Sequence, residues 1–208
     1  DPSLTFAINV GDVVEQGTLE QFVDFFRQIQ SYSRILFLTA AGNHDLGKDQ
    51  DLTLYREIFG PDYYAFRLKD NYFIVVINAE PGGVGEVQWR WLEKELKKSQ
   101  SYKTRLVFLH TPLCDPRGGD KHHCLPEAAG RRLAALLRQY HVTHIFAGHI
   151  HSCFTGNWDG VPYTITGGAG APLYGTDPQH FFYHYLKVTL QAGEIHVEVQ
   201  RLKAAGDQ

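Results

Sequence analysis

The chain has 208 residues, 43% of them hydrophobic, and a formal net charge of -3 at pH 7. This length suits one domain with a substantial core, whereas the small charge argues against nucleic acid or an anionic membrane as the main partner. No apolar run approaches the roughly 20 residues that span a bilayer. Three cysteines slightly favour a reducing, cytoplasmic compartment.

The start of the chain is unusual, since the sequence contains no methionine and enters a strand pattern almost at once. We therefore expect further sequence upstream, which could carry a targeting signal. The apolar run over residues 4–10 predicts a first strand. A capping-box pattern at Thr18 and Gln21 then begins a helix with one apolar face. The residues of that face are Leu19, Phe22, Val23 and Phe26.

The middle of the chain continues this alternation of strands and helices. Residues 63–68 and 72–78 flank a compact Lys-Asp-Asn turn and predict an antiparallel hairpin. Apolar runs predict strands, and apolar residues at helical spacing predict helices, one of them after Pro126. The further strands are predicted over 34–40, 104–110 and 142–149, and the further helices over 51–59, 86–100 and 127–140.

The last part of the chain predicts strands without helices between them, over residues 161–166, 182–190 and 194–202. A Gln-Ala-Gly turn joins the last two. The sequence therefore predicts a single α/β domain over residues 1–208. We expect a four-layer αββα sandwich of two mixed β-sheets flanked by helices, with an antiparallel C-terminal meander.

Four of the predicted strands end in the same way, with polar residues directly after the last apolar position. In open α/β sheets, ligands bind beyond the carboxyl ends of the strands, so these polar groups are expected to meet. A glycine precedes three of the four segments and allows the backbone to turn sharply. The polar residues are Asp12, then Asn43, His44 and Asp45, then His110, and finally His149 and His151.

Each segment alone also has an ordinary explanation. Asp12 could cap a helix, the Asn43–Asp45 segment could form a turn, and His110 could be a hydrogen-bonded core histidine. His149 and His151 are more specific, because residues i and i+2 of an extended chain face the same side. Coincidence at four strand ends explains the pattern poorly, so the sequence predicts a metal site.

The residue types narrow the choice of metal. A carboxylate, an amide oxygen and three imidazoles suit Mn, Fe, Co or Zn. A second cluster, Cys114, His122, His123 and Cys124, could bind zinc, but its spacing matches no usual zinc pattern and favours a loop at the rim of a substrate site.

The ordered motifs Gly-Asp, Gly-Asn-His-Asp, His and Gly-His-Ile-His resemble the calcineurin-like metallophosphoesterases. This superfamily includes purple acid phosphatases, protein phosphatases and phosphodiesterases. The glycine-rich segment over residues 160–174 is similar to a loop of these proteins, and the resemblance covers nearly the whole chain. It implies a phosphoester hydrolase with two divalent or mixed-valence ions of Mn, Fe or Zn and a metal-bridging hydroxide as nucleophile.

The resemblance also implies a role for each residue. Asp12 would bridge the two ions, and His151 would help to hold the second. His44 would lie beside the phosphate as a general acid or charge stabiliser, oriented by Asp45. The ligands of the first ion would be Asn43, His110 and His149.

The chain departs from the family pattern at one point, because no Asp-x-His motif precedes Asp12. The second ion would then keep only Asp12 and His151, so we expect at most one well-held ion on this chain. A competing hypothesis is a non-catalytic or weakly active module, whose incomplete metal site serves stability or partner binding. A nucleotide-binding loop at residues 167–171 is disfavoured because no predicted helix follows it.

The substrate class, the choice between monoester and diester, and the oligomeric state stay open at this point. Arg117, Lys121, His122 and His123 could steer a phosphate towards the metals or form a solvated loop. Several aromatic residues could wall a cleft or pack in the core. They are Tyr63, Tyr64, Trp158, Tyr163, Tyr174, Phe181, Phe182 and Tyr183.

Overall fold

The strands and helices of the protein, seen in a computed structural model, follow the predicted order closely. The structure describes residues 4–32, 35–48, 50–78, 83–118 and 123–202. The helices of this part of the chain are α1 (Leu19–Tyr32), α2 (Thr53–Phe59), α3 (Glu86–Ser99) and α4 (Glu127–Gln139). The strands are β1 (Phe6–Asn9), β2 (Leu36–Thr39), β3 (Tyr64–Leu68), β4 (Asn71–Val75), β5 (Thr104–Leu109), β6 (His144–Ala147), β7 (Cys153–Trp158), β8 (Val161–Thr166), β9 (His184–Gln191) and β10 (Glu194–Arg201).

A six-stranded mixed sheet forms the centre of the fold, with the order β3-β4-β5-β6-β8-β7. The four inner strands β4, β5, β6 and β8 run parallel, whereas β3 and β7 pair antiparallel at the edges. The inner strands therefore place their carboxyl ends at one edge of the sheet. The predicted α/β class and the hairpin of β3 and β4 are confirmed, while β7 was not predicted.

One face of this sheet packs against helices. Fully buried Ile74, Val107 and Ile145 contribute to a core that also contains Leu92 of α3 and Leu133 of α4. Successive residues of a strand point to opposite faces, so Phe73 and Val75 belong to a second core on the other side. The near-continuous apolar runs of these strands follow from burial on both faces.

The second core joins the six-stranded sheet to a second β-layer. That layer consists of two separate pairs: β1 and β2 are parallel, and β9 and β10 form the antiparallel C-terminal hairpin. Among the described residues these two pairs are not hydrogen-bonded to each other, so the second layer is split rather than one mixed sheet. Phe25 of α1 contacts Phe37 of β2, which places a helix outside this layer.

The N-terminus of α1 forms half of its predicted capping box. The Thr18 hydroxyl accepts a hydrogen bond from the Gln21 backbone N–H at 3.4 Å. The Gln21 side chain instead accepts from the backbone N–H of Gln16, at 2.7 Å. Within the described part of the chain, no helix is both long and apolar enough to cross a membrane.

Candidate metal centre

Polar side chains that follow strands β1, β2, β5 and β6 lie close together. The carboxylate of Asp12 and the imidazoles of His110 and His149 each offer a ligand atom, and these atoms lie within 4.8 Å of one another. Asn43 joins them, because its Oδ1 lies 3.0 Å from Nε2 of His110. We refer to Asp12, Asn43, His110 and His149 as the ligand cluster. The parallel pairing of β1 with β2 and of β5 with β6 explains why these residues meet.

His110 presents a lone pair rather than a hydrogen to the centre of the ligand cluster. Nδ1 of His110 lies 2.8 Å from the carbonyl of Val10, and a carbonyl can only accept a hydrogen bond. In neutral His110 the proton is therefore on Nδ1, and Nε2 carries a lone pair. That Nε2 lies 3.2 Å from Oδ2 of Asp12 and 3.2 Å from Nδ1 of His149. Nε2 of His110 and the oxygens of Asp12 and Asn43 are acceptors that lie close together, which suits a cation between them, so the residues fit a transition-metal ion.

Two members of the cluster have unusual backbone conformations. Asp12 and His149 have φ angles of 55° and 62°, in the left-handed region that residues with a side chain rarely adopt. A glycine precedes each of them in sequence. At Gly42, next to Asn43, an added Cβ would overlap the Asp12 carboxylate, so only glycine lets the two loops approach this closely.

Asp45 joins the loop that carries Asp12 to the loop that carries Asn43. Its carboxylate is buried and accepts hydrogen bonds from the backbone N–H groups of Val13 at 2.8 Å, Val14 at 3.2 Å and Gly42 at 2.8 Å. Burial raises the pKa of Asp45 to about 6, the charge of Asp12 adds to this effect, and the hydrogen bonds from Gly42 and Val14 oppose it. Asp45 therefore holds the backbone on either side of the metal ligands.

His44 lies at the surface of the centre, with its side chain 38% exposed. Its backbone N–H donates to Oδ1 of Asp12 at 2.9 Å, and its Nδ1 lies 2.8 Å from the carbonyl of Glu15. Partial burial opposes protonation, but the hydrogen bond to Glu15 and the charge of Asp12 outweigh it and raise the pKa of His44. The carbonyl of Glu15 thus holds the His44 ring. The Asp45 carboxylate accepts its hydrogen bonds from Val13, Val14 and Gly42 and acts on His44 through its charge, which also raises the pKa of His44. Its orienting role stays a prediction.

His151 has a different environment from the ligand cluster. Its Nδ1 donates to the carbonyl of Pro172 at 2.6 Å, and its ring stacks on Tyr174 with 4.1 Å between centroids. Nε2 is therefore the nitrogen that can bind a ligand. Among the described residues, His151 is not part of the closely spaced group formed by Asp12, His110 and His149.

Asn78 supports the centre and was missed by the sequence reasoning. It is buried, and its Oδ1 accepts from the backbone N–H groups of His110 at 3.1 Å and Thr111 at 3.0 Å. Its Nδ2 donates to the carbonyl of Thr111 at 2.6 Å. The available signal was its position just after β4, the same strand-end position as the predicted ligands. Asn78 fixes the backbone from which His110 projects.

The loop between β5 and α4 borders the centre. Lys121 and His122 lie outside the described residues, and beyond His110 the described part of this loop contributes to no group of three metal-binding side chains. The His123 ring lies 5.3 Å from that of His149. Arg117 is held by Asp115, with nitrogen–oxygen distances of 2.6 and 3.0 Å. The position of His123 supports the rim-loop interpretation.

The predicted aromatic residues separate into two groups. Trp158 and Tyr163 are buried and stack on each other with 3.7 Å between centroids. Tyr64 packs against the second core, and Tyr63 contacts Trp91. These residues therefore pack in the interior. Others lie in or next to the segment that follows β8, and among these Tyr174 is 51% exposed and stacks on His151.

Comparison with known proteins gives a consistent family. The family described as calcineurin-like phosphoesterase matches residues 3–153. A probable glycerophosphodiester phosphodiesterase of Arcobacter nitrofigilis is 27% identical over 76% of this chain and 60% of that protein. A 3′,5′-cyclic adenosine monophosphate phosphodiesterase of Escherichia coli is 25% identical over 74% of this chain and 56% of that protein. The chain thus spans less than two thirds of these relatives.

Solved structures share the fold at lower identity. A purple acid phosphatase from yellow lupin seeds has a TM-score of 0.76 and 18% identity, covering 96% of this chain and 44% of that one. GAP50 of Plasmodium, described as an anchor in the inner membrane complex, has a TM-score of 0.63 and 15% identity, covering 99% of this chain and 81% of that one. At these identities the likeness concerns the fold alone.

Proposed function

The chain belongs to the calcineurin-like phosphoesterase family, and on this premise we propose that it forms a metal-dependent hydrolase of phosphoesters. The observation that carries the proposal is the convergence of ligand atoms of Asp12, His110 and His149 within 4.8 Å, with the lone pair of His110 Nε2 facing a carboxylate oxygen of Asp12. Relatives named as phosphodiesterases and as phosphatases support this reaction class and leave both monoesters and diesters as substrates.

The residues of the chain would divide the work as follows. Asn43, His110 and His149 would hold one ion together with Asp12. The His44 backbone N–H donates to Oδ1 of Asp12 and so positions this carboxylate. Transition-metal ions bound here would supply Lewis-acid polarisation of a phosphoryl oxygen and an acidified water as nucleophile.

His44 would donate a proton to the leaving group. The Glu15 carbonyl keeps hydrogen on Nδ1, so Nε2 is the atom that can carry the transferred proton. The raised pKa of His44 suits a proton donor near neutral pH.

A dinuclear centre is part of the proposal, with Asp12 and His151 as the contribution of the described residues to the second ion. Two protein ligands hold an ion weakly compared with four. We therefore expect metal analysis of the purified chain to find about one tightly bound ion. Two tightly bound equivalents would contradict this assignment of the ligands.

Activity is tested by stripping the chain with a chelator and reloading it with Mn²⁺, Zn²⁺ or Fe²⁺. Bis(p-nitrophenyl) phosphate and p-nitrophenyl phosphate report diester and monoester hydrolysis. We expect turnover with at least one metal and none after chelation. No turnover by a metal-loaded chain would instead favour the non-catalytic module.

His44→Asn separates catalysis from metal binding. We expect kcat to fall by roughly 10²–10⁴-fold, the range usual for loss of a general acid, while the metal content stays unchanged. His196→Asn is the matched control, since this histidine lies on β10 with its side chain 71% exposed. Unchanged turnover in His44→Asn would remove the proton-donor role, and loss of bound metal would reassign the residue to metal binding.

A further inference from the structure

Tyr174 lies at the edge of the metal centre, in the segment that follows β8. Its ring is nearly parallel to that of His151, with 4.1 Å between centroids and 14° between planes. On another side it approaches His123, 5.9 Å away, which in turn lies 5.3 Å from His149. Tyr174 therefore connects two histidines that border the ligand cluster.

The backbone around Tyr174 makes close contacts on both sides of this residue. Two residues before it, the Pro172 carbonyl accepts the hydrogen bond from Nδ1 of His151 at 2.6 Å. One residue after it, Gly175 lies so close to the ring of Phe181 that a side chain there would clash. These contacts fix the backbone on both sides of Tyr174, and stacking on His151 fixes the ring, so it has the defined position that a recognition surface requires.

Half of the Tyr174 side chain faces solvent, since it is 51% exposed. Exposure alone means little, because Tyr185 in the C-terminal hairpin is 52% exposed. The distinguishing feature of Tyr174 is its surroundings. Burial raises its pKa, the charges of Asp12 and Glu15 add to this, and Arg117 opposes it. The exposed ring thus lies within the electrostatic field of the ligand cluster.

Among the described residues, Arg117 is the cation that acts on Tyr174, and its charge is compensated. The Arg117 guanidinium forms a two-point ion pair with the Asp115 carboxylate, with nitrogen–oxygen distances of 2.6 and 3.0 Å. A compensated arginine attracts a second anionic group of a substrate only weakly. An exposed aromatic ring instead favours a flat, uncharged partner, which it can contact by offset stacking.

We propose that Tyr174 is a substrate-binding residue that stacks against a flat aromatic or heteroaromatic group esterified to the phosphate. The inference rests on the proposed function, since it places the phosphate at the metal centre. A role limited to orienting His151 is the alternative. The Pro172 carbonyl already fixes that ring, so removing Tyr174 should affect ligands with an aromatic group selectively.

The test measures binding rather than turnover, with non-hydrolysable probes. Phenylphosphonate and methylphosphonate carry the same anion and differ in the aromatic ring. Their dissociation constants for the metal-loaded chain are measured by isothermal titration calorimetry for the parent, Tyr174→Ala and Tyr174→Phe. Tyr185→Ala is the control, because it removes an equally exposed tyrosine from β9. Metal content and thermal unfolding are recorded for every variant.

We expect the parent to bind phenylphosphonate more tightly. Tyr174→Ala should reduce the preference by about two- to tenfold, the range that follows from typical aromatic stacking energies. Tyr174→Phe should keep the preference because it keeps the ring, and Tyr185→Ala should not change it. Equal weakening of both probes, no change in Tyr174→Ala, or absence of binding by the parent would each overturn the inference.

This design distinguishes the inference from the proposed function. A parent that hydrolyses no phosphoester but shows the ring preference, lost in Tyr174→Ala, would refute the function and support the binding role. A parent that hydrolyses aryl and alkyl esters without a contribution from Tyr174 would support the proposed function and refute the binding role.

Discussion

Asp12 and His149 hold strained backbone conformations at the point where the metal ligands meet. Their positive φ angles cost on the order of 1–3 kcal/mol each. Such strain persists only where the surroundings enforce it. The hydrogen bonds from Val13, Val14 and Gly42 to the Asp45 carboxylate provide that enforcement around Asp12.

Asp45→Asn should therefore destabilise the protein. The asparagine amide keeps one oxygen acceptor. Its NH₂ group would replace the second carboxylate oxygen and would face a backbone N–H group, which is itself a donor. A buried donor left without an acceptor costs about 1–3 kcal/mol. Urea unfolding at pH 7 measures the loss.

Asp177→Asn is the control for this substitution. Asp177 is exposed, and its carboxylate accepts a backbone hydrogen bond from Gln179 at 2.9 Å through Oδ1, an oxygen that asparagine keeps. Its replacement should change stability by less than about 0.5 kcal/mol. Equal urea midpoints for both variants and the parent would show that Asp45 does not hold the loops.

The strand-end rule could identify Asp12, Asn43, His110 and His149 from the sequence, because parallel strands bring their ends together whatever their separation along the chain. It could not identify the role that we propose for Tyr174. That residue belongs to no strand end, and its proximity to the centre depends on how residues 167–175 fold over His151. The contact between Glu15 and His44 was hidden for the same reason, since it joins two loops.

At the scale of elements, the parallel strands β6 and β8 are joined by a buried side-chain contact as well as by their backbone hydrogen bonds. Nε2 of His144 lies 2.9 Å from the hydroxyl of Thr164, and its ring contacts Phe146. Burial lowers the pKa of His144 to about 4. The histidine is thus neutral in the folded protein well below the pH at which it would be protonated in the unfolded chain.

This difference predicts an acid-dependent loss of stability. The unfolded chain binds a proton on His144 near pH 6.5 and the folded protein only near pH 4, so the free energy of unfolding falls as the pH decreases between these values. The contribution is at most about 3 kcal/mol. His144→Gln removes the titrating group.

Urea unfolding of the parent and of His144→Gln at pH 7 and pH 4.5 checks this. We expect the variant to be less stable at pH 7, because the packing around His144 changes. The difference in free energy of unfolding between the parent and the variant should be smaller at pH 4.5. A gap of the same size at both pH values would show that His144 does not contribute to the acid sensitivity.

The sequence predicted most elements because their apolar periodicity is strong, and it failed at β7. This strand contains Gly156 and Asn157, and its middle residues are exposed, so it carries little hydrophobic pattern. Its conformation comes from the antiparallel ladder with β8, in which Cys153 pairs with Thr166 and Trp158 with Val161. Pairing with a neighbour thus supplied what local sequence did not indicate.

At the scale of the whole molecule, the ligand cluster joins parts of the chain that are far apart in sequence. The hydrogen bond from His110 to the Val10 carbonyl spans 100 residues. Asp12 comes from the layer of β1 and β2, whereas His110 and His149 come from the six-stranded sheet. A bound ion would link the two β-layers.

Metal binding should therefore stabilise the whole fold. An ion that binds the folded state alone adds about 2.7 kcal/mol at a free concentration 100 times its Kd. We expect added Mn²⁺ or Zn²⁺ to raise the thermal midpoint and a chelator to reverse the change. Asp12→Asn should reduce the shift sharply, while Asp177→Asn should retain it. An equal shift in Asp12→Asn would place the ion elsewhere.

The wide spacing of the ligand cluster along the chain has a consequence for biosynthesis. A nascent chain that has emerged as far as His110 contains Asp12, Asn43 and His110 but still lacks His149. Coordination of the proposed ion by all four residues must await the synthesis of His149, so we expect tight metal capture only after β6 has been made. Metal occupancy would then report that the segments carrying Asp12, Asn43, His110 and His149 have come together.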